Sequence, residues 1–221
     1  MLRILAVADE IREYLYGPAL KEMEADLIVS CGDLPFEYLE YLVTMSGIPL
    51  LYVLGNHDPA IRKRRPMPQD LMRPEYLDAS HRPAPGPQGC TSVEGRWVDV
   101  AGLRVAGLGG SPRYSEGPNQ YTEREMQRKV GKLIRHARVA GALGGRKIDL
   151  FITHAPPLGV GDQDDPAHRG FESFHRVIRS LKPRSLVHGH VHPYGDTLLD
   201  HRVRETDVLN TVGYRILEFE R

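Results

Sequence analysis

Apolar residues along this chain gather in short runs, and each run breaks off at polar residues or glycine. Such runs predict buried strands. RILAVAD opens the chain, DLIVSCGD and PLLYVLGNHD follow, and LRVAGLGG, IDLFITHAPP and RSLVHGHVH come later. A C-terminal set covers roughly 197–203, 207–212 and 214–219. Between the early strands the period changes. In 35–46 (PFEYLEYLVTMS), Phe36, Leu39, Tyr41, Leu42 and Met45 recur at threes and fours, which predicts a helix whose first turn accommodates Pro35. Thr122 followed by Glu125 is a capping-box pattern that opens a long amphipathic helix over 122–140, and 171–181 reads as another helix. Strands alternate with helices in the first half and crowd together in the second. An α/β protein follows, its sheets covered on the outside by helices. The stretch 59–95 breaks the rhythm with RKRRP and RPAPGPQG, so it reads as a surface excursion from a single domain spanning 1–221.

Composition narrows the function classes. Lys plus Arg equals Asp plus Glu, 29 each, which argues against a protein held on nucleic acid or anionic membrane by bulk charge. RKRRP at 62–66 reads first as a solvated face, and a local nucleic-acid groove stays open as an alternative. Cys31 and Cys90 form neither a disulfide framework nor a zinc-ligand spacing, and Cys31, behind LIVS, reads as a small buried residue. The apolar runs are too short for a signal-peptide core or a membrane span, so no membrane association and a cytoplasmic location are expected.

The ends of the strands change the picture most. The first run stops at Asp9, the second at Asp33, the third at Asn56 and His57. IDLFITH stops at His154, and SLVHGHVH delivers His190 and His192. Taken singly, each is more simply a turn former or a solvated histidine. Five strands ending in such residues are not explained that way. Ligands at strand carboxyl ends converge on the crevice where open α/β sheets bind. Carboxylate, amide and imidazole without thiolate make a mixed N/O set, suited to manganese, with iron or zinc as alternatives. His190 and His192 would point the same way only along an extended chain.

These blocks (AD ending at Asp9, CGD with Asp33, GNHD at 55–58, THAPP with His154, GHVH at 189–192) run in an order that resembles the calcineurin-like metallophosphoesterases across nearly the whole chain. The resemblance implies an αββα four-layer sandwich, two mixed β-sheets flanked by helices. It also implies a phosphoester hydrolase that uses a metal-activated hydroxide and two divalent or trivalent ions. By the same resemblance, Asp33 bridges the ions. One ion takes Asp9, Asp33 and His192, the other Asp33, Asn56, His154 and His190. His57 assists departure of the leaving oxygen and Asp58 orients it.

The first block departs from the family. Where it has Asp, any residue, His, this chain has Asp9, Glu10, Ile11. Isoleucine cannot ligate, and Glu10 faces away from Asp9 if the strand continues. The first metal position is therefore expected to be weaker, or completed from elsewhere. Bacterial members lacking the same histidine share runs like GLGGSPRY, GPNQYTEREM and GDQDDPAHRG.

Arg113 and Tyr114 in GLGGSPRY, whose glycines allow close approach to an anion, and His168 are candidates for substrate contact. Asp162 and Asp165 are candidates for supporting or replacement ligands, and His188 reads as a hydrogen-bonding core neighbour. A small phosphodiester is favoured over a monoester, because a monoester dianion needs several fixed positive groups. The competing readings are a nuclease and a catalytically silent, metal-holding binding protein. Ile11 favours silence, while His57 beside Asn56 favours catalysis.

Overall fold

In the computed structural model, residues 1–61, 86–142, 147–193 and 200–220 are described. The heart of the 59–95 excursion, including RKRRP at 62–66, lies outside them, as does the start of the 197–203 run.

The apolar runs form two sheets. The first, in spatial order β13-β1-β2-β3-β4, comprises β1 (Leu2–Ala8), β2 (Leu27–Ser30), β3 (Leu50–Tyr52), β4 (Thr91–Ser92) and β13 (Gly213–Phe219). Strands β1, β2, β3 and β4 are parallel, and β13 closes the edge antiparallel to β1, pairing Leu2 with Phe219 and Ala8 with Gly213. The second, in order β11-β12-β10-β9-β6-β5, comprises β5 (Trp97–Val100), β6 (Leu103–Leu108), β9 (Leu150–Thr153), β10 (Ser185–His188), β11 (His201–Val203) and β12 (Thr206–Asn210). Here β6, β9, β10 and β12 are parallel, and the antiparallel edges are β5 and β11. A two-stranded ribbon joins β7 (Ser111–Pro112) to β8 (Gln120–Tyr121).

Strand periodicity divides the core into three layers. Leu2, Ile4, Ala6 and Ala8 of β1, with Val29 of β2, face the other sheet, where they pack with Val105, Leu150, Ile152 and Val187. The alternate residues Leu5 and Val7 face outward, against helices α1 (Ala19–Glu22) and α2 (Phe36–Ser46). On the far side, Phe151, Leu186 and Val208 pack against α3 (Glu123–Ala142) and α4 (Glu172–Leu181). The result is helix, sheet, sheet, helix. Each fully buried Leu, Ile, Val or Phe contributes about 1.5–3 kcal/mol of apolar burial.

The capping box that starts α3 is reciprocal: Glu125 accepts the Thr122 backbone N–H at 2.8 Å, and Thr122 Oγ1 accepts from the Glu125 N–H at 3.3 Å. Two features differ from the sequence expectation. Helix α2 buries Tyr38, Leu39 and Leu42 while Met45 is exposed, so its apolar stripe is rotated from the predicted one. Strand β1 ends at Ala8 and β10 at His188, so the chain is no longer extended at Asp9 or His190.

Candidate metal centre

Two loops meet back to back at the carboxyl ends of β2 and β3. Asp58 carboxylate accepts the backbone N–H groups of Gly55 (2.8 Å) and Asp33 (3.0 Å), while Asp33 Oδ1 accepts the N–H of His57 at 2.8 Å. The loops are so close that a Cβ on Gly32 would strike the Gly55 backbone, and one on Gly55 would strike the Asp33 carboxylate. Only glycine fits at either place.

His154, fully buried at the end of β9, points into the junction. Its Nδ1 lies 2.8 Å from the Cys31 carbonyl, and its Nε2 faces Asn56 Oδ1 at 2.8 Å and Asp33 Oδ2 at 3.2 Å. Asn56 is held in that orientation because its amide Nδ2 donates to the Tyr114 hydroxyl at 2.9 Å. His190 Nε2 donates to the Ala167 carbonyl at 2.6 Å, which leaves Nδ1 as the nitrogen with a lone pair. Ligand atoms of Asp33, His154 and His190 all lie within 4.8 Å of one another. Among the described residues this is the one such grouping of three His, Cys, Asp or Glu side chains.

The backbone is strained at this place. Asp9, Asp33 and His190 have φ of 62°, 56° and 69°. At Asp9 and His190 the chain makes a three-residue turn, closed by Glu10 N–H to Ala8 O at 2.6 Å and Val191 N–H to Gly189 O at 2.8 Å. Such γ-turns with positive φ are rare and strained, and each residue so held costs about 1–3 kcal/mol. The His190 turn also brings its N–H to Asp9 Oδ2 at 2.9 Å. Gly189 must lack a side chain here, because a Cβ would hit the Asp9 carboxylate.

The charges are arranged for a cation. Burial raises the Asp9 carboxyl above its ordinary value, and the Asp33 charge adds to that. Burial acts the same way on Asp33, but the His154 hydrogen bond and charge, joined by the His57 N–H, together outweigh it and hold the Asp33 carboxyl below its ordinary value. Burial opposes a charge on His154, yet the Asp33 hydrogen bond and charge, with Asp9 behind, push it up to about 9. Burial and the His154 charge push His190 down to about 3, so it is neutral. Both nitrogens of His154 thus face acceptors, and a proton on Nε2 sits against two oxygens, Asn56 Oδ1 and Asp33 Oδ2, where a cation would be welcome. The donor set, oxygen plus imidazole with no sulfur, suits a hard or borderline divalent ion.

The sequence profile of the calcineurin-like phosphoesterase family matches residues 4–194. The chain belongs to this family. Among solved structures, one at 19% identity has a TM-score of 0.62 and covers 97% of this chain and 94% of its own. Another, TT1561 of Thermus thermophilus, is 16% identical with a TM-score of 0.57, covering 96% and 89%. Both share the metallophosphatase fold, two mixed sheets flanked by helices. No curated protein matches the chain. As a calcineurin-like phosphoesterase, it is a metal-dependent hydrolase by family, and no helix among the described residues is long and apolar enough to cross a membrane.

The remaining candidates are distributed as follows. Neither Asp9 nor His192 joins the Asp33, His154 and His190 grouping. His190 and His192 diverge at the turn, His192 Nδ1 facing Glu10 Oε1 at 3.2 Å. Glu10 does not face away as a continued strand would require, because the turn at Asp9 redirects it. His57 is exposed and its imidazole has no hydrogen-bond partner among the described residues; Asp58 instead braces the two loop backbones. Asp58 itself is pushed up to about 6 by burial. Arg113 bonds Glu125 at 3.0 Å and the Gln120 carbonyl. The glycines of GLGGSPRY are used for packing: Gly110 N–H donates to Leu54 O at 2.7 Å, and a Cβ on Gly109 would collide with that carbonyl.

Asp162 accepts the Gly170 N–H, and Asp165 holds His168 Nδ1 at 3.0 Å, so both shape the loop that presents Ala167 to His190. The His168 ring lies 5.5 Å from that of His190. His188 is buried with Nδ1 on the Gly189 carbonyl, and burial with neighbouring His154 pushes it down to about 4. Sequence reasoning missed the two carbonyls, of Cys31 and Ala167, that aim the imidazoles. No residue type announces a backbone oxygen.

Proposed function

We propose that this protein hydrolyses a small phosphoester, a diester in preference to a monoester, with two metal ions bridged by Asp33. The observation that carries the reading is the convergence of Asp33, Asn56, His154 and His190 donors at strand ends, beside the exposed His57. A bound divalent ion supplies Lewis acidity, lowering the pKa of water and polarising phosphoryl oxygens. Manganese is the first candidate, since the set mixes oxygen with imidazole and has no thiolate.

The chain's own groups divide the remaining work. Asn56, pinned by Tyr114, and His154, pinned by Cys31, keep their donor atoms aimed at one point without reorganisation. A cleft of about 450 Å³ runs past Asp33, Pro35, Phe36, His57 and Pro59, and receives the ester. His57 stands on its wall and protonates the departing alkoxide. The apolar Pro35 and Phe36 suit an alcohol with a carbon face. The diester preference follows from charge: Arg113 is tied to Glu125, so a dianionic monoester finds one fixed cation fewer.

Adding manganese to metal-stripped protein with bis(4-nitrophenyl) phosphate tests this. Turnover is expected, faster than on the monoester. His57→Ala should retain metal and lose about 10²–10⁴ in rate. The silent alternative is favoured by one observation, the separation of Asp9 and His192 from the main donor cluster. No turnover with manganese, iron or zinc on either ester would establish it.

A further inference from the structure

The first block lacks its histidine, and Ile11, in that place, is 44% exposed and turned to solvent. Its neighbour is arranged otherwise. The turn at Asp9 swings Glu10 across to β10's end, where Oε1 lies 3.2 Å from His192 Nδ1. Its other oxygen, Oε2, is gripped by Arg12 Nη2 at 2.6 Å. Arg12 is itself seated against β13, where a Cβ on Gly213 would strike its guanidinium. Nearby, Asp9 accepts the His190 N–H, and the His192 charge acts on its carboxyl.

We propose that Glu10 takes the place of the missing imidazole, its carboxylate joining Asp9 and His192 to hold the first of the two cations. The inference rests on the metal-dependent reading above. Two ligands of one ion, each with a bond of about 2.0–2.2 Å, stand about 3 Å apart at a right angle, and Glu10 Oε1 and His192 Nδ1 are already at that spacing. A bare surface ion pair is a poor account of the same contact. Exposed pairs contribute little, too little to offset the strained turn that brings Glu10 there. Exchanging imidazole for carboxylate also predicts the metal: the position becomes harder, favouring manganese or magnesium over zinc.

Manganese bound per chain, measured by equilibrium dialysis and atomic emission, tests this together with the spin-coupled EPR signal of a manganese pair. Wild type should take up two ions and give the coupled signal. Glu10→Gln should keep the ion at Asp33, Asn56, His154 and His190, lose the coupling and weaken the other position tenfold or more. Circular dichroism of metal-free Glu10→Gln should match wild type. Unchanged stoichiometry, affinity and coupling in Glu10→Gln would overturn the inference and leave the phosphoesterase reading standing. Wild type that takes up no manganese would overturn that reading, and this inference with it.

Discussion

A cation binding at Asp33, Asn56, His154 and His190 should expel about one proton from His154. The Cys31 carbonyl accepts from Nδ1, and Asn56 and Asp33 accept from Nε2, so the metal-free ring is held doubly protonated with a pKa pushed up to about 9. A metal takes only the neutral ring. Proton and cation therefore compete for Nε2 at every pH below about 9. Apparent affinity should rise about tenfold per pH unit up to there, then level off. At pH 7 the competition amounts to about two pH units, about 2.7 kcal/mol or roughly a hundredfold in Kd. His190 adds nothing to the slope, because burial and the His154 charge already keep it neutral, its pKa at about 3.

In metal-free protein the sign reverses. A histidine raised from 6.5 to about 9 contributes stability that is complete below pH 6.5 and lost as pH climbs through 9. Calorimetric titration with manganese in two buffers of different ionisation enthalpy counts the protons released. About one per ion is expected near neutral pH. His154→Gln has no proton to give and should flatten the slope. Affinity independent of pH between about 6 and 8, with no proton released, would refute the reasoning.

Asp33→Asn removes the charge that meets His154 and the carboxylate assigned as bridge; metal content by atomic emission should fall to near zero, and unchanged occupancy would count against the bridge. Gly55→Ala drives a methyl into the Asp33 carboxylate; overpacking of this kind costs about 1–3 kcal/mol, so the melting temperature should drop along with manganese affinity. Tyr114→Phe frees the Asn56 amide to turn; losing a hydrogen bond worth about 0.5–1.5 kcal/mol should lower the melting temperature of metal-free protein slightly, and metal binding measured by calorimetry should weaken because Asn56 Oδ1 is no longer held in aim.

The strand-end positions of the candidate residues were legible because each follows a run of apolar residues long enough to be a buried strand, and parallel strands carry their carboxyl ends to one edge. Asp9, Asp33, Asn56, His154 and His190 all follow that rule. The three-layer burial of β1 was legible for the same reason, as Leu2, Ile4, Ala6 and Ala8 alternate with Arg3, Leu5 and Val7. Chain direction at the strand ends was not. Period-two reasoning could place Glu10 and the His190–His192 pair only for an extended backbone, and the structure has turns with positive φ there. Glycine ordinarily marks such turns. Here an aspartate and a histidine occupy them, side chains that visit positive φ more often than most but far less often than glycine.

That concealment is itself informative about the site. A stretch of chain selected only for stability would place glycine at the apex of a strained three-residue turn, since glycine adopts positive φ without the clash that an L side chain suffers. Asp9 and His190 keep their side chains there, and their turns are tied to each other by the His190 N–H on the Asp9 carboxylate. Gly189, next to His190, is bare for the opposite reason, leaving room for that carboxylate. The strain and the clearance are complementary. Together they fix the Asp9 carboxylate on the His190 backbone N–H, tying residues from opposite sheets to each other. Replacing His190 with glycine should relax the turn, so metal-free protein should melt no lower than wild type while manganese affinity falls by tenfold or more. A variant that lost stability in proportion to its metal binding would mean the turn is held for the fold and not for the ion.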